Sequence, residues 1–170
     1  MKSSSIKLRI KALFIDYLCI VLYLLVLFAL AMSIYYLFFH GIPEFTEQES
    51  QWIAFLTTVL PITIYFSIKE SGKSFASFGK KRAGLKIKYL KNPIISSIFR
   101  NILKFLPWQL AHMAVIAGIY NGYESTYIMI FNVLSILLPI IYIGMVVFRK
   151  DHRHIPDLLS NSYVVVNESK

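Results

Sequence analysis

The sequence predicts an all-α membrane protein with four transmembrane helices arranged as two hairpins, in a single domain over residues 1–170. Hydrophobic residues make up 56% of the chain and charged residues only 16%, a composition too apolar for a soluble domain. Four uncharged or nearly uncharged runs are close to or above the length that crosses a bilayer, roughly 17–25 residues. All eighteen Lys and Arg residues lie outside these four runs.

The first predicted span covers about residues 12–39 and ends in a cluster of Tyr and Phe side chains. Such side chains are enriched where a bilayer meets its headgroups. Residues 41–51 follow, with three Glu and no Lys or Arg. This composition is typical of an extracytoplasmic loop.

The second predicted span covers about residues 52–68 and has Pro61 near its middle. Proline removes a backbone donor, so it predicts a kink. The carbonyl groups freed by the kink need donors from a neighbouring helix or from Thr57 and Thr58.

A basic segment, residues 69–104, separates the two predicted hairpins and holds ten of the eighteen Lys and Arg residues. Loops rich in these residues stay in the cytoplasm. Residues 71–84 have no helical period and predict a loop, whereas residues 85–90 alternate apolar and polar and predict a short strand. Whether this strand pairs with the β-rich residues 163–166 of the tail is left open.

Apolar residues recur at helical spacing over residues 94–106, which predicts an amphipathic helix at the cytoplasmic interface. Pro107 is expected to bend it into the third span, about residues 105–120. The fourth span is about residues 127–148, with a kink at Pro139, and the tail 149–170 is cytoplasmic. The Lys and Arg residues divide four, ten and four among the N-terminus, the basic segment and the tail, so both termini are expected in the cytoplasm.

Asp16 is the carboxylate that the sequence places just inside the first span. Arg9 lies seven residues earlier, close to two helical turns, so both side chains share one face. The pair is either a proton or cation site or a structural ion pair that fixes helix packing. Arg100 has two candidate partners, Asp16 and Asp157, and a lipid phosphate is a third.

His112 and Asn132 lie within the third and fourth spans and are candidates for hydrogen bonds across helices, or for a proton relay in the case of His112. The spacing of Asp151, His152, His154 and Asp157 is loose for a metal site. The simpler interpretation is a solvated segment beside the membrane, and no metal or other cofactor is predicted.

Lys80, Lys81 and Arg82 form a run that suits anionic lipid headgroups, at about 1 kcal/mol per charge. Topological retention alone also explains this run. The net charge of +9 does not indicate nucleic acid binding, because the basic residues alternate with membrane-length runs instead of forming one stripe. No nucleophilic triad, phosphate loop or zinc-protease helix is present, and we do not expect an enzyme.

Three separated motifs resemble those of a known family. Arg9, Ala12 and Asp16 resemble an Arg-x-x-Ala-x-x-x-Asp motif. Residues 77–87, with Gly79, Lys80 and Gly84, are similar to a Thr-x-Gly-Lys-Arg-x-x-Gly-Leu-x-Val loop. Residues 157–165 are similar to a closing Asp-Leu-Leu-Ala-Gly-Thr-x-Val-Val. Arg100 and Asn101 resemble an Arg-Asn pair before a later span.

Together these motifs resemble the RDD family of bacterial membrane proteins, although Ser77 and Ser162 stand where Thr is usual and Pro156 replaces a His. The resemblance implies a multi-pass protein of the bacterial plasma membrane. Some members are proposed cation/proton antiporters and others accessory proteins. We therefore expect exchange of a monovalent cation for protons at Asp16, with Arg9 and Arg100, in a homo-oligomer. The alternative is a non-enzymatic accessory, regulatory or immunity protein that binds another membrane protein.

Overall fold

A computed structural model describes residues 4–167. Lys2 and Lys170, counted above with the terminal cations, lie outside the described residues. In chain order the elements are α1 (Ile6–Phe39), α2 (Glu47–Ala54), a π-helical turn (Phe55–Val59), α3 (Leu60–Ser71), α4 (Phe78–Arg82), β1 (Leu85–Tyr89), α5 (Pro93–Asn121), α6 (Thr126–Phe148), α7 (Ile155–Leu159) and β2 (Ser162–Val166).

Four helices are long and apolar enough to cross a membrane, as predicted: α1, the continuous helix Glu47–Ser71, α5 and α6. Their bounds differ from the predicted spans. The predicted interfacial helix and third span form one helix of 29 residues, α5, which runs through Pro107. The helix is therefore continuous at Pro107, and the bend predicted there stays a prediction.

Two prolines in these helices have their freed carbonyl groups satisfied by tyrosines of neighbouring helices. Pro61 cannot donate to the carbonyl of Thr57, four residues earlier, and that carbonyl accepts a hydrogen bond of 2.6 Å from the Tyr23 hydroxyl of α1. Pro107 likewise frees the carbonyl of Leu103, which accepts one of 3.2 Å from the Tyr142 hydroxyl of α6. A neighbouring helix thus supplies the donor that a membrane-embedded proline requires.

The first half of α5 is amphipathic, as predicted, but its polar face packs against the protein instead of facing water. Ile94, Ile95 and Ile98 are exposed, whereas Arg100 and Asn101 are buried. A helix lying at an interface would bury its apolar face in lipid and expose its polar face to water. Here the polar face contacts the rest of the protein, and the apolar face is left for lipid.

The chain is not wholly helical, because β1 and β2 form a two-stranded antiparallel sheet. Leu85 pairs with Val166 and Tyr89 with Ser162, which answers the question left open by the sequence. Residues 71–84 are not entirely a loop either, since α4 forms within them. Leu85, Ile87 and Val164 pack against Ala12 of α1, so the sheet joins the basic segment and the tail to the start of the first helix.

Helix α5 lies between two neighbours, α3 and α6. Phe105 packs with Val59, Ile62 and Phe66 on one side. Farther along α5, the small residues Ala114 and Ala117 pack with Ile128 of α6. In contrast, only 6% of the apolar stretches of α1 and α6 is buried, and the rest is partly or fully exposed.

We predict that Tyr23→Phe and Tyr142→Phe each lower the free energy of unfolding by about 0.5–1.5 kcal/mol, because each leaves a proline-freed carbonyl without a donor. Tyr36→Phe is the matched control, since Tyr36 lies on an exposed face of α1. Denaturant titration in detergent measures the three variants. Equal stability of all three would contradict the role assigned to these hydroxyl groups.

Candidate functional site: a buried charge cluster

Glu70, near the end of α3, is fully buried and has partners from two other elements. Its Oε1 lies 2.6 Å from Lys80 Nζ of α4, and its Oε2 lies 2.6 Å from Arg100 Nη1 of α5. Asn101 Nδ2 also donates to Oε2, at 3.1 Å. A buried carboxylate is stable only with such partners.

Arg100 also contacts Asp157 of α7 through Nε and Oδ1, at 2.7 Å. Glu70, Lys80, Arg100, Asn101 and Asp157 are called the charge cluster from here on. Two acidic and two basic side chains balance its charge. The cluster joins α3, α4, α5 and α7, so it connects segments that lie up to 87 residues apart in the chain.

Asp157 is fully buried and its carboxyl group stays ionised. Burial, the largest single effect, raises the pKa of Asp157, but the neighbouring cations, Arg100 foremost, and the hydrogen bond from Arg100 together bring the pKa below its ordinary value. Next to it, burial lowers the pKa of His154 to about 4. The neutral His154 Nδ1 accepts a hydrogen bond from the Asp157 backbone N–H at 3.2 Å, as the N-cap of α7. The nearby contact of Nδ1 with Asp157 Oδ2 is therefore not an ion pair at neutral pH.

Asp16 anchors α4 to α1. Its Oδ2 accepts from the Ser77 hydroxyl at 2.6 Å and its Oδ1 from the Gly79 backbone N–H at 2.7 Å. Both donors lie at the start of α4, where backbone N–H groups lack helical partners. A Cβ at Gly79 would lie 2.2 Å from the Ala12 carbonyl oxygen and 2.8 Å from Asp16. Glycine is thus required for this close approach.

Arg9 does not pair with Asp16 among the described residues, so the predicted structural ion pair is not formed, whereas the proton or cation site at Asp16 stays a prediction. Its guanidinium donates to the hydroxyl of Ser4 and to the carbonyl groups of His152 and Val164. The tail occupies the donors of Arg9, because β2 passes beside the start of α1. Arg100 has Asp157, and not Asp16, as its partner.

Lys80 is 8% exposed and belongs to the charge cluster. The prediction that it contacts lipid headgroups is wrong, because its ammonium is paired with Glu70. Lys81 and Arg82 are exposed and remain available for that contact. Gly84 has a φ of 68°, a left-handed conformation that favours glycine. It turns the chain from α4 into β1.

The sequence analysis made separate predictions for His112 and for the segment that contains His152 and His154. His112 lies on α5 apart from the charge cluster, stacked on Trp108 with ring centroids 5.6 Å apart. Its Nδ1 has no hydrogen-bond partner among the described residues, so the predicted bond across helices is not formed there. In the segment predicted to be solvated, Asp157 is buried, whereas Asp151, His152 and His154 are partly exposed. Within residues 4–167 no three His, Cys, Asp or Glu side chains are placed to hold a metal.

Sequence analysis overlooked Glu70, which is the centre of the charge cluster. A signal was available, since Glu70 is the sole Asp or Glu between residues 50 and 123. A single carboxylate beside so many Lys and Arg residues, at the end of an apolar run, indicates a paired and buried acid.

Four membrane-length helices with a buried charge cluster at one end define a multi-pass membrane protein. The model of the RDD family matches residues 4–161. The chain therefore belongs to the RDD family, as the motifs indicated. No curated protein and no solved structure matches the chain.

We predict that Glu70→Gln lowers the free energy of unfolding by about 3–5 kcal/mol, because it leaves Lys80 and Arg100 buried beside a neutral partner. Glu44→Gln is the matched control, since Glu44 lies exposed in the loop after α1. Denaturant unfolding in detergent measures both. A loss no larger than that of the control would show that the cluster does not stabilise the fold.

Proposed function

We propose that this chain is a non-enzymatic transporter of the bacterial plasma membrane, with both termini cytoplasmic, that exchanges a monovalent cation for protons along α5. The observation that carries this proposal is a row of side chains at four-residue spacing: Arg100, Lys104, Trp108 and His112. Side chains four apart lie on one face of a helix. The row extends about 18 Å, more than half of the roughly 30 Å hydrocarbon core.

Two ionisable groups in this row lie outside the charge cluster. Lys104 Nζ is 4.0 Å from the centroid of the Phe66 ring, and Lys104 is in none of the ion pairs among residues 4–167. His112 has an unpartnered Nδ1. Ionisable side chains inside membrane helices are costly, and they commonly mark proton or ion pathways.

Proton transfer along α5 replaces the pathway first expected at Asp16. The carboxylate of Asp16 is held by Ser77 and Gly79, which assigns it an anchoring role. Lys104 and His112 are the proposed proton carriers. Because four helices enclose little space, a second copy of the chain is expected to complete the pathway.

An accessory function is the second candidate. The exposed apolar faces of α1 and α6 favour it, since another membrane protein would cover them as readily as lipid. A specific membrane protein that co-purifies stoichiometrically, with no ion flux, would support this function against exchange.

We predict that purified protein in sealed vesicles with a pH gradient gives cation-dependent proton flux. Lys104→Met is expected to abolish the flux, because it removes a proton carrier from the α5 row. Lys69→Met is the matched control, as Lys69 is exposed and outside the charge cluster. Lys81→Cys in a Cys19→Ser background reports orientation by its reaction with an impermeant maleimide.

The proposal of cation/proton exchange is rejected if the unmodified protein gives no proton flux above that of empty vesicles. A wild-type flux that Lys104→Met leaves unchanged would instead reject the α5 pathway. Thermal unfolding of both lysine variants separates loss of flux from loss of fold.

A further inference from the structure

A cavity of about 470 Å³ lies between α2, α5 and α6, at the end of the bundle opposite the charge cluster. Its volume is within the range of small-molecule sites. Along α5 it extends from Ala117 to Gln109, about 12 Å of helix. The cavity therefore enters the apolar part of the bundle from the predicted extracytoplasmic side.

The cavity is lined mainly by aromatic and apolar side chains. Trp52 and Phe55 line it from the helix Glu47–Ser71, Met113 from α5, and Tyr127 and Phe131 from α6. Aromatic faces bind organic cations through their negative quadrupole, most strongly where water is excluded. Phe55 begins the π-helical turn, a local widening of the helix that is frequent at functional sites.

Glu47 is the charged side chain of the lining. Asn121 Nδ2 donates to its Oε2 at 2.7 Å, and no described residue donates to its Oε1. The surrounding end of the molecule is acidic, because residues 40–51 and 121–125 contain four Glu and no Lys or Arg. Its electrostatic potential attracts cations and repels anions.

The uncharged polar groups of the lining add to this potential. The side-chain oxygens of Gln51 and Gln109 are buried without a hydrogen-bond donor among the described residues. Gln51 Nε2 donates to the Met113 carbonyl at 3.1 Å, which fixes the orientation of that amide. Two acceptor oxygens of the lining are thus left without donors within the described residues.

We propose that this cavity binds a lipophilic organic cation, with aromatic or alkyl groups against Trp52 and Phe131 and the positive charge near Glu47. The aromatic lining and the single carboxylate both favour this class. A lipid acyl chain would fit the apolar lining, but its binding would not depend on the charge of Glu47. This claim concerns binding and is independent of ion exchange.

The test uses tetraphenylphosphonium and tetraphenylborate, which have closely similar shape and opposite charge. Equilibrium dialysis against the detergent-solubilised protein measures binding of each ion. The Trp108→Phe variant leaves Trp52 as the sole tryptophan, so a saturable change in its fluorescence locates the bound ion. We expect the phosphonium to bind saturably, and the borate at least about tenfold more weakly because of the acidic surroundings.

Two variants examine the site itself. Glu47→Gln keeps the shape and is expected to weaken phosphonium binding at least about tenfold, whereas Glu44→Gln is expected to leave it unchanged. Met113→Trp fills the cavity and is expected to abolish binding. Circular dichroism confirms that each variant is folded.

Equal binding of the two ions, or equal effects of the two Glu variants, would overturn the proposal in favour of a lipid-filled cavity. Because no gradient is applied, this result does not depend on whether the protein exchanges ions.

Discussion

The Arg100 guanidinium is the group on which the architecture depends. It is almost fully buried and lies between two carboxylates, those of Glu70 and Asp157, at 2.6 and 2.7 Å. Placing such charges in an apolar surrounding costs several kcal/mol per ion, and close paired contacts are what offset this cost. Removal of any one partner leaves the others uncompensated. The membrane helices and the tail are therefore coupled through one side chain.

Two further contacts extend this coupling to the first helix. Asp16 holds the start of α4, and Arg9 holds the carbonyl groups of the tail at His152 and Val164. The Arg and Asp residues of the family motifs thus connect segments that are far apart in sequence. They make one end of the molecule a tightly bonded unit. The other end, with its acidic loops and aromatic cavity, has hydrogen bonds such as that of Asn121 with Glu47, but none of the ion pairs found among residues 4–167.

The proposed proton carriers lie along α5. Lys104 is one turn beyond Arg100, and His112 lies at the level of the cavity, between Gln109 and Met113. A proton carrier must change its protonation state without unfolding its surroundings. The charge cluster holds its end of α5 in place, because its carboxylates are paired with Lys80 and Arg100.

The sequence was sufficient to predict the number of membrane-length helices, the strand at residues 85–90 and the family. Composition and run length predict the helices, the alternation of apolar and polar residues predicts the strand, and the motifs indicate the family. The faces of α5 could not be predicted, because helical spacing shows that Ile98 and Arg100 lie on different sides but not which side meets protein. Lys80 was predicted to contact lipid headgroups because the sequence alone does not show whether protein or lipid surrounds its side chain. Its partner, Glu70, lies ten residues away on another helix, and pairing of that kind requires the tertiary structure.

Hydrogen–deuterium exchange of β2 tests the coupling through Arg100 most directly. In Arg100→Gln, amide hydrogens of Ser162–Val166 are expected to exchange at least about tenfold faster, because Asp157 loses the contact that holds the tail on α5. Slow exchange in α6 would confirm that the helices remain folded, and Lys69→Gln serves as the control. If β2 exchanges at the same rate in both variants, the Arg100 contacts do not hold the tail and the account is contradicted.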